Sequence, residues 1–283
     1  MFPDSGITKL MKSTVTTIIG FLCFTNLSLA EESIFPDKNL EAAVRYEVFA
    51  KRGTDKPVVA ADVKRISVVH ANRKGIKNLK GLEHCVALAE IRLDHNEVAD
   101  LSPLKDMKDL QSLSLQNNKV ADLTPLAGLT KLQYLNLMSN QVKDVKPIAG
   151  LTALNSLYLS KNQIGDASEL KGLKKLWSLY LGWNKLTKID VVKDLTGVES
   201  LELNDNQLTE IGPLAALKEC RYLTLFNNQI TDLSPLVTAC EADLKGNHSF
   251  APFMRLYQKG NPLNEKGKKA LARLKALGVR VKD

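Results

Sequence analysis

Residues 110–131, LQSLSLQNNKVADLTPLAGLTK, carry the pattern that decides the fold of this chain. The pattern returns every 22 residues without an insertion. The repeats begin at Leu88, Leu110, Leu132, Leu154, Leu176, Val198 and Cys220. In every repeat, the first position and offsets 3, 5, 10, 13, 16 and 19 from it are apolar. A fixed period of this length indicates a solenoid built from stacked, similar units.

Each repeat contains one predicted strand. Offsets 3 and 5, such as Leu113 and Leu115, alternate with polar residues, which is the period of a strand with one buried face. Such a short strand is stable only when it is stacked with its neighbours in a parallel sheet. An asparagine follows at offset 8 in every repeat: Asn96, Asn118, Asn140, Asn162, Asn184, Asn206 and Asn228. Because its amide can bond backbone groups that a turn leaves unpaired, we predict a structural role for it.

The second half of each repeat predicts tight turns. Three repeats share an Asp-Leu-Ser/Thr-Pro-Leu motif, which begins at Asp100, Asp122 and Asp232. Proline restricts the backbone and interrupts regular helix, so we expect short turns or 3-10 helices on this side. Glu169 and Val191 replace the proline in repeats four and five, which affects only the local turn geometry.

The full pattern, L-x-x-L-x-L-x-x-N-x-I/V-x-D-L-x-P-L-x-x-L, resembles the leucine-rich repeats of bacterial internalin-like proteins. Units of this length also occur in a eukaryotic phosphatase-regulatory subunit. The resemblance covers residues 66–241, of which 66–87 form a degenerate first unit with Lys74 at the asparagine position. It implies the α/β class: a leucine-rich-repeat solenoid with a parallel sheet on its concave face, short turns or 3-10 helices on its convex face, and helical N- and C-terminal caps.

The regions on either side of the repeats are predicted as a signal peptide and two caps. Residues 1–30 contain Lys12, an apolar run and the small-x-small site Ser28-Leu29-Ala30, which predict a cleaved signal peptide, with Met1 or Met11 as the start. A membrane anchor is the alternative, but the run is short. We therefore expect a secreted protein, periplasmic or extracellular, without a membrane span in its mature form. Residues 31–65 are the predicted N-terminal cap, and 242–283 the C-terminal cap.

The predicted caps contain specific helices. An N-capped amphipathic helix is predicted from Asp37 to Gly53, with Phe49 on its apolar side, and a weaker one over 59–66. At the other end, Asn261 resembles the asparagine of a final repeat. A helix over 265–277 and a last strand over 279–281 are predicted after it.

No catalytic, metal or cofactor site is predicted. Cys85, Cys220 and Cys240 lack metal-ligand spacing, and buried thiols are favoured, with a Cys220–Cys240 bridge left open. His95, Asp94 and Ser114 permit a serine, histidine and acid set, but the outward serines are better explained as small polar residues on a solvated sheet. An enzyme is therefore the least favoured class.

The outward positions of the repeats carry a cluster of large side chains, which we call the aromatic face. Its members are Tyr134, Met138, Tyr158, Trp177, Tyr180, Trp183, Tyr222 and Phe226. Clustered exposed aromatics are common binding hot spots, so we expect these side chains to bind a protein or peptide, with the rings of Tyr158, Tyr180, Trp183 and Tyr222 standing in solvent. The alternative is that aromatic residues are good strand formers and shield one another. We expect Tyr158 and Tyr180, at the same offset, to be neighbours.

The second candidate surface is basic. Removing Lys9, Lys12 and Asp4 with the signal lowers the formal charge from +8 to +7, and residues 245–283 alone carry +8. The basic cap patch consists of Lys266, Lys268, Lys269 and Arg273. It could bind an anionic envelope surface or another polyanion, or it could simply be the solvated face of a cap helix. Nucleic acid is disfavoured because no aromatic is interleaved in that helix, and we expect a monomer.

Overall fold

The fold is organised by one parallel sheet. The computed structural model describes residues 32–246 and 248–282, and within them ten short strands pair in chain order. The strands are β1 (Val68–His70), β2 (Glu90–Arg92), β3 (Ser112–Ser114), β4 (Tyr134–Asn136), β5 (Ser156–Tyr158), β6 (Ser178–Tyr180), β7 (Ser200–Glu202), β8 (Tyr222–Thr224), β9 (Arg255–Tyr257) and β10 (Arg280–Lys282). The chain therefore forms a leucine-rich-repeat solenoid.

The middle residue of each strand points into the core. Leu113 pairs in register with Leu135, and Leu135 pairs with Leu157, so the leucines of successive repeats form a continuous column. All three are fully buried. Because side chains alternate along a strand, the residues on either side of each leucine face the opposite, concave surface.

The repeated asparagine joins each repeat to the one before it. The Oδ1 atom of Asn118 accepts the Val98 backbone N–H of the preceding repeat at 2.9 Å. Its Nδ2 donates to the carbonyl oxygens of Leu93 at 2.9 Å and Leu115 at 3.0 Å. The same contacts recur at Asn140, Asn162, Asn184, Asn206 and Asn228. These buried amides form an asparagine ladder along the solenoid.

The ladder extends beyond the seven regular repeats. At its first end, Asn96 accepts from the backbone N–H groups of Lys74 and Ile76, which fixes the degenerate first unit. At its last end, Asn261 accepts from the Ile230 N–H at 3.1 Å and donates to the Leu225 carbonyl at 2.9 Å. The irregular ends are thus held by the same contacts as the regular repeats.

Short 3-10 helices form most of the convex side. They span Leu82–His84, Ser102–Leu104, Thr124–Leu126, Lys146–Ile148, Ser168–Gly172, Asp190–Asp194 and Gly212–Ala216. The prediction of short turns is correct for these repeats. The two repeats without proline have five-residue 3-10 helices, but so does the repeat with Pro213, whereas those around Pro103 and Pro125 have three.

The Asp232 motif is the exception to that prediction. Helix α3 (Ser234–Lys245) begins there and extends across the boundary expected between repeats and cap at 241/242. The expectation of a turn was wrong because Pro235 lies in the first helical turn, where a proline has no intrahelical N–H bond to lose. The residues after it contain no further proline or glycine until Gly246.

The N-terminal cap covers the first edge of the sheet. Helices α1 (Lys38–Glu47) and α2 (Ala60–Val63) form it, and α1 packs against β1. The Asp37 side chain accepts from Asn39 N and Leu40 N at the start of α1. The predicted helix continued to Gly53, but α1 ends at Glu47 because Val48 is extended. Phe49 consequently points into solvent rather than into the core.

The C-terminal cap ends in helix α4 (Glu265–Ala276) and strand β10. Asn264 caps α4 by accepting from the Gly267 N–H at 2.8 Å. Gly278 follows in the left-handed region, with φ of 92°, which turns the chain back towards the sheet. Helix α4 is one residue shorter than predicted.

The cysteines, the signal peptide and the membrane anchor were also subjects of sequence predictions. Cys85, Cys220 and Cys240 are buried free thiols, and burial raises the pKa of each to about 12. The predicted signal peptide, 1–30, lies outside the described residues. None of the helices within residues 32–246 and 248–282 has the length and hydrophobicity that a membrane span requires.

We predict that Asn140→Ala destabilises the protein by about 2 to 4 kcal/mol, because it leaves the Val120 N–H unpaired in the core and removes one of the two asparagine hydrogen bonds to each of the Leu115 and Leu137 carbonyls. Urea unfolding measures the effect. Gln141→Ala, at an exposed neighbour, should change stability by less than about 0.5 kcal/mol. Equal losses in both variants would contradict the role of the ladder.

Candidate functional site on the concave face

The outward side chains of neighbouring strands form columns across the concave surface. Tyr158 and Tyr180 pair in register, as predicted, and their ring centroids lie 4.8 Å apart in an edge-to-face arrangement. Tyr134, one strand earlier, lies 5.5 Å from Tyr158. The three tyrosines therefore form one packed row over β4, β5 and β6.

A second aromatic group lies closer to the C-terminal end. Tyr222 contacts Tyr257 with a centroid distance of 5.3 Å, and Trp183 approaches Phe226 at 6.1 Å. The sequence analysis missed Tyr257. The signal that would have found it is its spacing, because Tyr257 precedes Asn261 by four residues, as Tyr158 precedes Asn162.

The aromatic face is less exposed than predicted. Trp177 and Trp183 stand in solvent, at 54% and 41% exposure. The expectation of rings standing in solvent was wrong for Tyr158, Tyr180 and Tyr222, which are half-buried, as are Tyr134, Met138 and Phe226. Parallel strands are only about 4.8 Å apart, so large side chains in one column cover one another. Mutual shielding therefore accounts for part of the cluster, and the tryptophans contribute most of its open surface.

The two tryptophans are held in place by neighbouring repeats. Trp177 donates from Nε1 to the Ser156 hydroxyl at 2.8 Å. Trp183 adopts the left-handed region, with φ of 49°, which is uncommon for a bulky residue. The Lys161 ammonium lies 5.1 Å from the centre of its ring, a cation–π contact. Both rings are thus oriented before any partner binds.

A partly buried carboxylate lies between the two aromatic groups. Glu202 follows Tyr180 in the same column, and its carboxylate accepts from the Ser160 hydroxyl, two repeats away, at 2.6 Å. It reaches Ser160 across Gly182, where a Cβ would come within 2.7 Å of a Glu202 oxygen. Burial raises the pKa of the Glu202 carboxyl, although the hydrogen bond from Ser160 lowers it. The sequence analysis did not identify Glu202 as a member of this surface.

The basic cap patch is largely neutralised by acids. Its ion pairs are Lys266–Asp232 at 2.7 Å, Lys268–Glu265 at 2.8 Å and Arg273–Glu241 at 2.8 Å. Lys269 is the fourth member and is exposed. Counting charges along the sequence overestimated the positive field of this patch, because two of the acids, Asp232 and Glu241, come from outside residues 245–283.

The serine, histidine and acid set is not assembled. Ser114 donates directly to Asp94 at 2.6 Å, whereas the His95 ring faces Arg73 and Asn117. No group of three or more potential metal ligands occurs within the described residues.

Comparison with known proteins identifies the family. Residues 86–128, 108–150, 130–172 and 196–238 match the family described as Leucine Rich repeats (2 copies). Internalin C2 from Listeria monocytogenes is 34% identical, with a TM-score of 0.70 over 73% of this chain and 91% of that one. The chain belongs to the internalin-like leucine-rich-repeat proteins. No curated protein sequence matches it.

More distant solved structures share only the fold. A Leptospira interrogans leucine-rich-repeat protein is 22% identical, with a TM-score of 0.55 over 71% of this chain and 56% of that one. The plant peptide hormone receptor RGFR1, in complex with RGF2, is 17% identical, with a TM-score of 0.53 over 64% of this chain and 29% of that one. Leucine-rich-repeat proteins of this type generally mediate protein–protein interactions and are typically not enzymes.

We predict that stability depends on pH through Glu202. Because its pKa is raised in the folded state, the folded protein binds more protons than the unfolded chain just above the ordinary pKa of glutamate. The unfolding free energy of wild type should therefore fall relative to Glu202→Gln as pH rises from about 4 to 7. Urea unfolding across this range measures it. Glu199→Gln changes an exposed position beside the same strand. Its unfolding free energy should vary with pH in the same way as that of wild type.

Proposed function

We propose that this protein is a non-enzymatic binding module that holds a protein or peptide partner on its aromatic face. The observation that carries the proposal is the open surface of Trp177 and Trp183 beside the half-buried tyrosine row. Large apolar groups lose unfavourable contact with water when a partner covers them. Preorganised tryptophans and tyrosines also lose little conformational freedom on binding, which is why they dominate hot spots.

The polar surroundings support a specific rather than a purely apolar contact. Glu202 and the hydroxyls of Ser160, Ser200 and Tyr180 lie among the aromatic rings, and Tyr180 and Ser200 oxygens are 3.1 Å apart. A partner that covers the rings must keep these hydrogen bonds or replace them. The surface therefore favours a polypeptide, which offers apolar side chains together with backbone donors and acceptors.

The basic cap patch is the less favoured site. Three of its four cations are already paired with carboxylates, so a polyanion would compete with existing partners. Its exposed ion pairs are screened by salt and contribute little binding energy. We assign the patch to the solvated surface of the cap and expect the protein to be a monomer.

We also propose that the protein is exported. The support is the sequence of residues 1–30, in which Lys12 precedes an apolar run and a small-x-small site ends at Ala30. N-terminal sequencing of the mature protein should read Glu31-Glu32-Ser33. Intact Met1 or Met11 in a cytosolic fraction would contradict export, and the periplasm and the cell exterior are separated by fractionation.

We predict that Tyr180→Ala or Trp183→Ala weakens partner binding by about 2 kcal/mol or more, with little change in the melting transition. The partner is first captured with a photo-crosslinker at Ser178, on the concave face, and its affinity for each variant is then measured by calorimetry. Truncation leaves the buried leucine column intact, so binding should weaken while the stability of the fold is retained.

Phe49→Ala is the matched control for this prediction. Phe49 is an aromatic residue at 85% exposure on the N-terminal cap, away from the aromatic face. Its truncation should leave affinity unchanged. Equal loss in the control, or capture by a crosslinker on the exposed convex residue Lys171 instead of Ser178, would show that the concave face is the wrong surface.

A further inference from the structure

Positive charge is concentrated at the C-terminal end of the concave sheet, outside the basic cap patch. Arg255 and Arg280 are register partners on β9 and β10, and Tyr257 pairs with Lys282. Lys259 follows β9. All four cationic residues are exposed. None of them has a carboxylate of residues 32–246 or 248–282 within 4.0 Å.

The opposite end of the sheet is arranged differently. There, the Glu90 carboxylate lies 3.0 Å from the His70 ring and also pairs with Arg92 at 2.5 Å. Charges on the concave surface are therefore balanced at β1 and β2 but not at β9 and β10. Like charges on adjacent strands repel, so the arrangement at the C-terminal end costs stability.

Protection of the sheet edge explains only part of this arrangement. Charged residues on an edge strand prevent pairing with another chain, which accounts for Arg280 and Lys282 on β10. Strand β9 is not an edge, because it pairs with β8 on one side and β10 on the other. Arg255 and Lys259 thus require another reason.

A cleft lies beside these cations. It has a volume of about 330 Å³ and is lined by Phe226, Asn227, Tyr257, Lys259 and Lys282. Phe226 and Tyr257 supply apolar walls, and the two ammonium groups supply charge. This combination suits a carboxylate carried on a short aliphatic side chain, because the methylene groups contact the rings and the carboxylate pairs with lysine.

We propose that an acidic segment of the protein partner docks here, with a glutamate or aspartate side chain in this cleft. The inference rests on the proposed function, since the cleft continues the aromatic face through Phe226 and Tyr257. It adds the chemistry of the partner and its orientation on the sheet, because the acidic part of the partner lies over β9 and β10.

The neighbouring charges favour a discrete acidic segment over a continuous polyanion. Glu202 lies on β7, two strands or about 10 Å from β9, and Asp205 accepts from the cleft residue Asn227 at 2.9 Å. A nucleic acid or acidic polysaccharide running along the sheet would meet these carboxylates. Tyr222 and Tyr257 also cover each other, which leaves less ring surface for stacked bases.

The test uses fluorescein-labelled hexaglutamate as the probe and hexaglutamine as its neutral control, with fluorescence anisotropy at about 50 mM salt. Hexaglutamate should bind the full chain at least about ten-fold more tightly than hexaglutamine. The Lys259→Glu/Lys282→Glu double variant should weaken hexaglutamate at least about ten-fold. Absence of hexaglutamate binding to wild type would overturn the inference.

Lys268→Glu/Lys269→Glu is the matched control, since it makes the same charge change at exposed positions on α4. It should weaken hexaglutamate by less than about two-fold. Equal weakening in both double variants would show that net charge governs binding and would overturn the assignment of the cleft as the binding site. Circular dichroism checks that each variant is folded, and Lys259→Gln/Lys282→Gln, which introduces no negative charge, should also weaken the probe.

A heparin hexasaccharide distinguishes a cleft that binds a polyanion from a cleft that binds an acidic peptide segment. Its affinity should fall equally in the two glutamate double variants, following net charge. A selective fall in the cleft variant would assign the cleft to a polyanion and overturn the proposal. If hexaglutamate does not bind but the partner is still crosslinked from Ser178, only this inference is refuted. If hexaglutamate binds but no partner is crosslinked from the concave face, the proposed function is refuted instead.

Discussion

The asparagine ladder is the interaction on which the rest of the structure depends. A turn that follows every three-residue strand leaves backbone N–H and carbonyl groups inside the protein, and an unpaired buried group is costly. One amide per repeat satisfies an N–H of the preceding repeat and carbonyls on both sides of the junction. Buried polar side-chain atoms of the described residues all have hydrogen-bond partners. These contacts join each repeat to the one before it along the described solenoid.

This internal regularity leaves the concave surface open to variation. The leucine column and the ladder use the inward positions and the turn, so the outward positions of each strand are not required by the core. Serine, asparagine, tyrosine, glutamate and threonine all occupy the third position of one strand or another. A binding surface can therefore be assembled from residues that contribute little to the fold.

The distribution of charge shows why composition alone is a poor guide to such a surface. Two basic residues of α4, Lys266 and Arg273, pair with Asp232 and with Glu241 of α3, which are remote in the chain but adjacent in space. Those of β9 and β10 have no such partner among the described residues, although they contribute to the same local excess of positive charge in the sequence. Folding thus separates cations that are paired with carboxylates from cations that are not.

The sequence by itself determined the period, the strand positions, the parallel sheet and the role of the asparagines, because each depends on spacing that repeats in every unit. The tertiary structure alone decided where the pattern is irregular: that Pro235 starts a helix, that Phe49 is exposed, and that Tyr257 joins the aromatic surface. It also decided that the tyrosines shield one another and that Glu202 reaches Ser160 across Gly182. These features depend on distances between side chains of different repeats, and such distances exist only once the units are stacked.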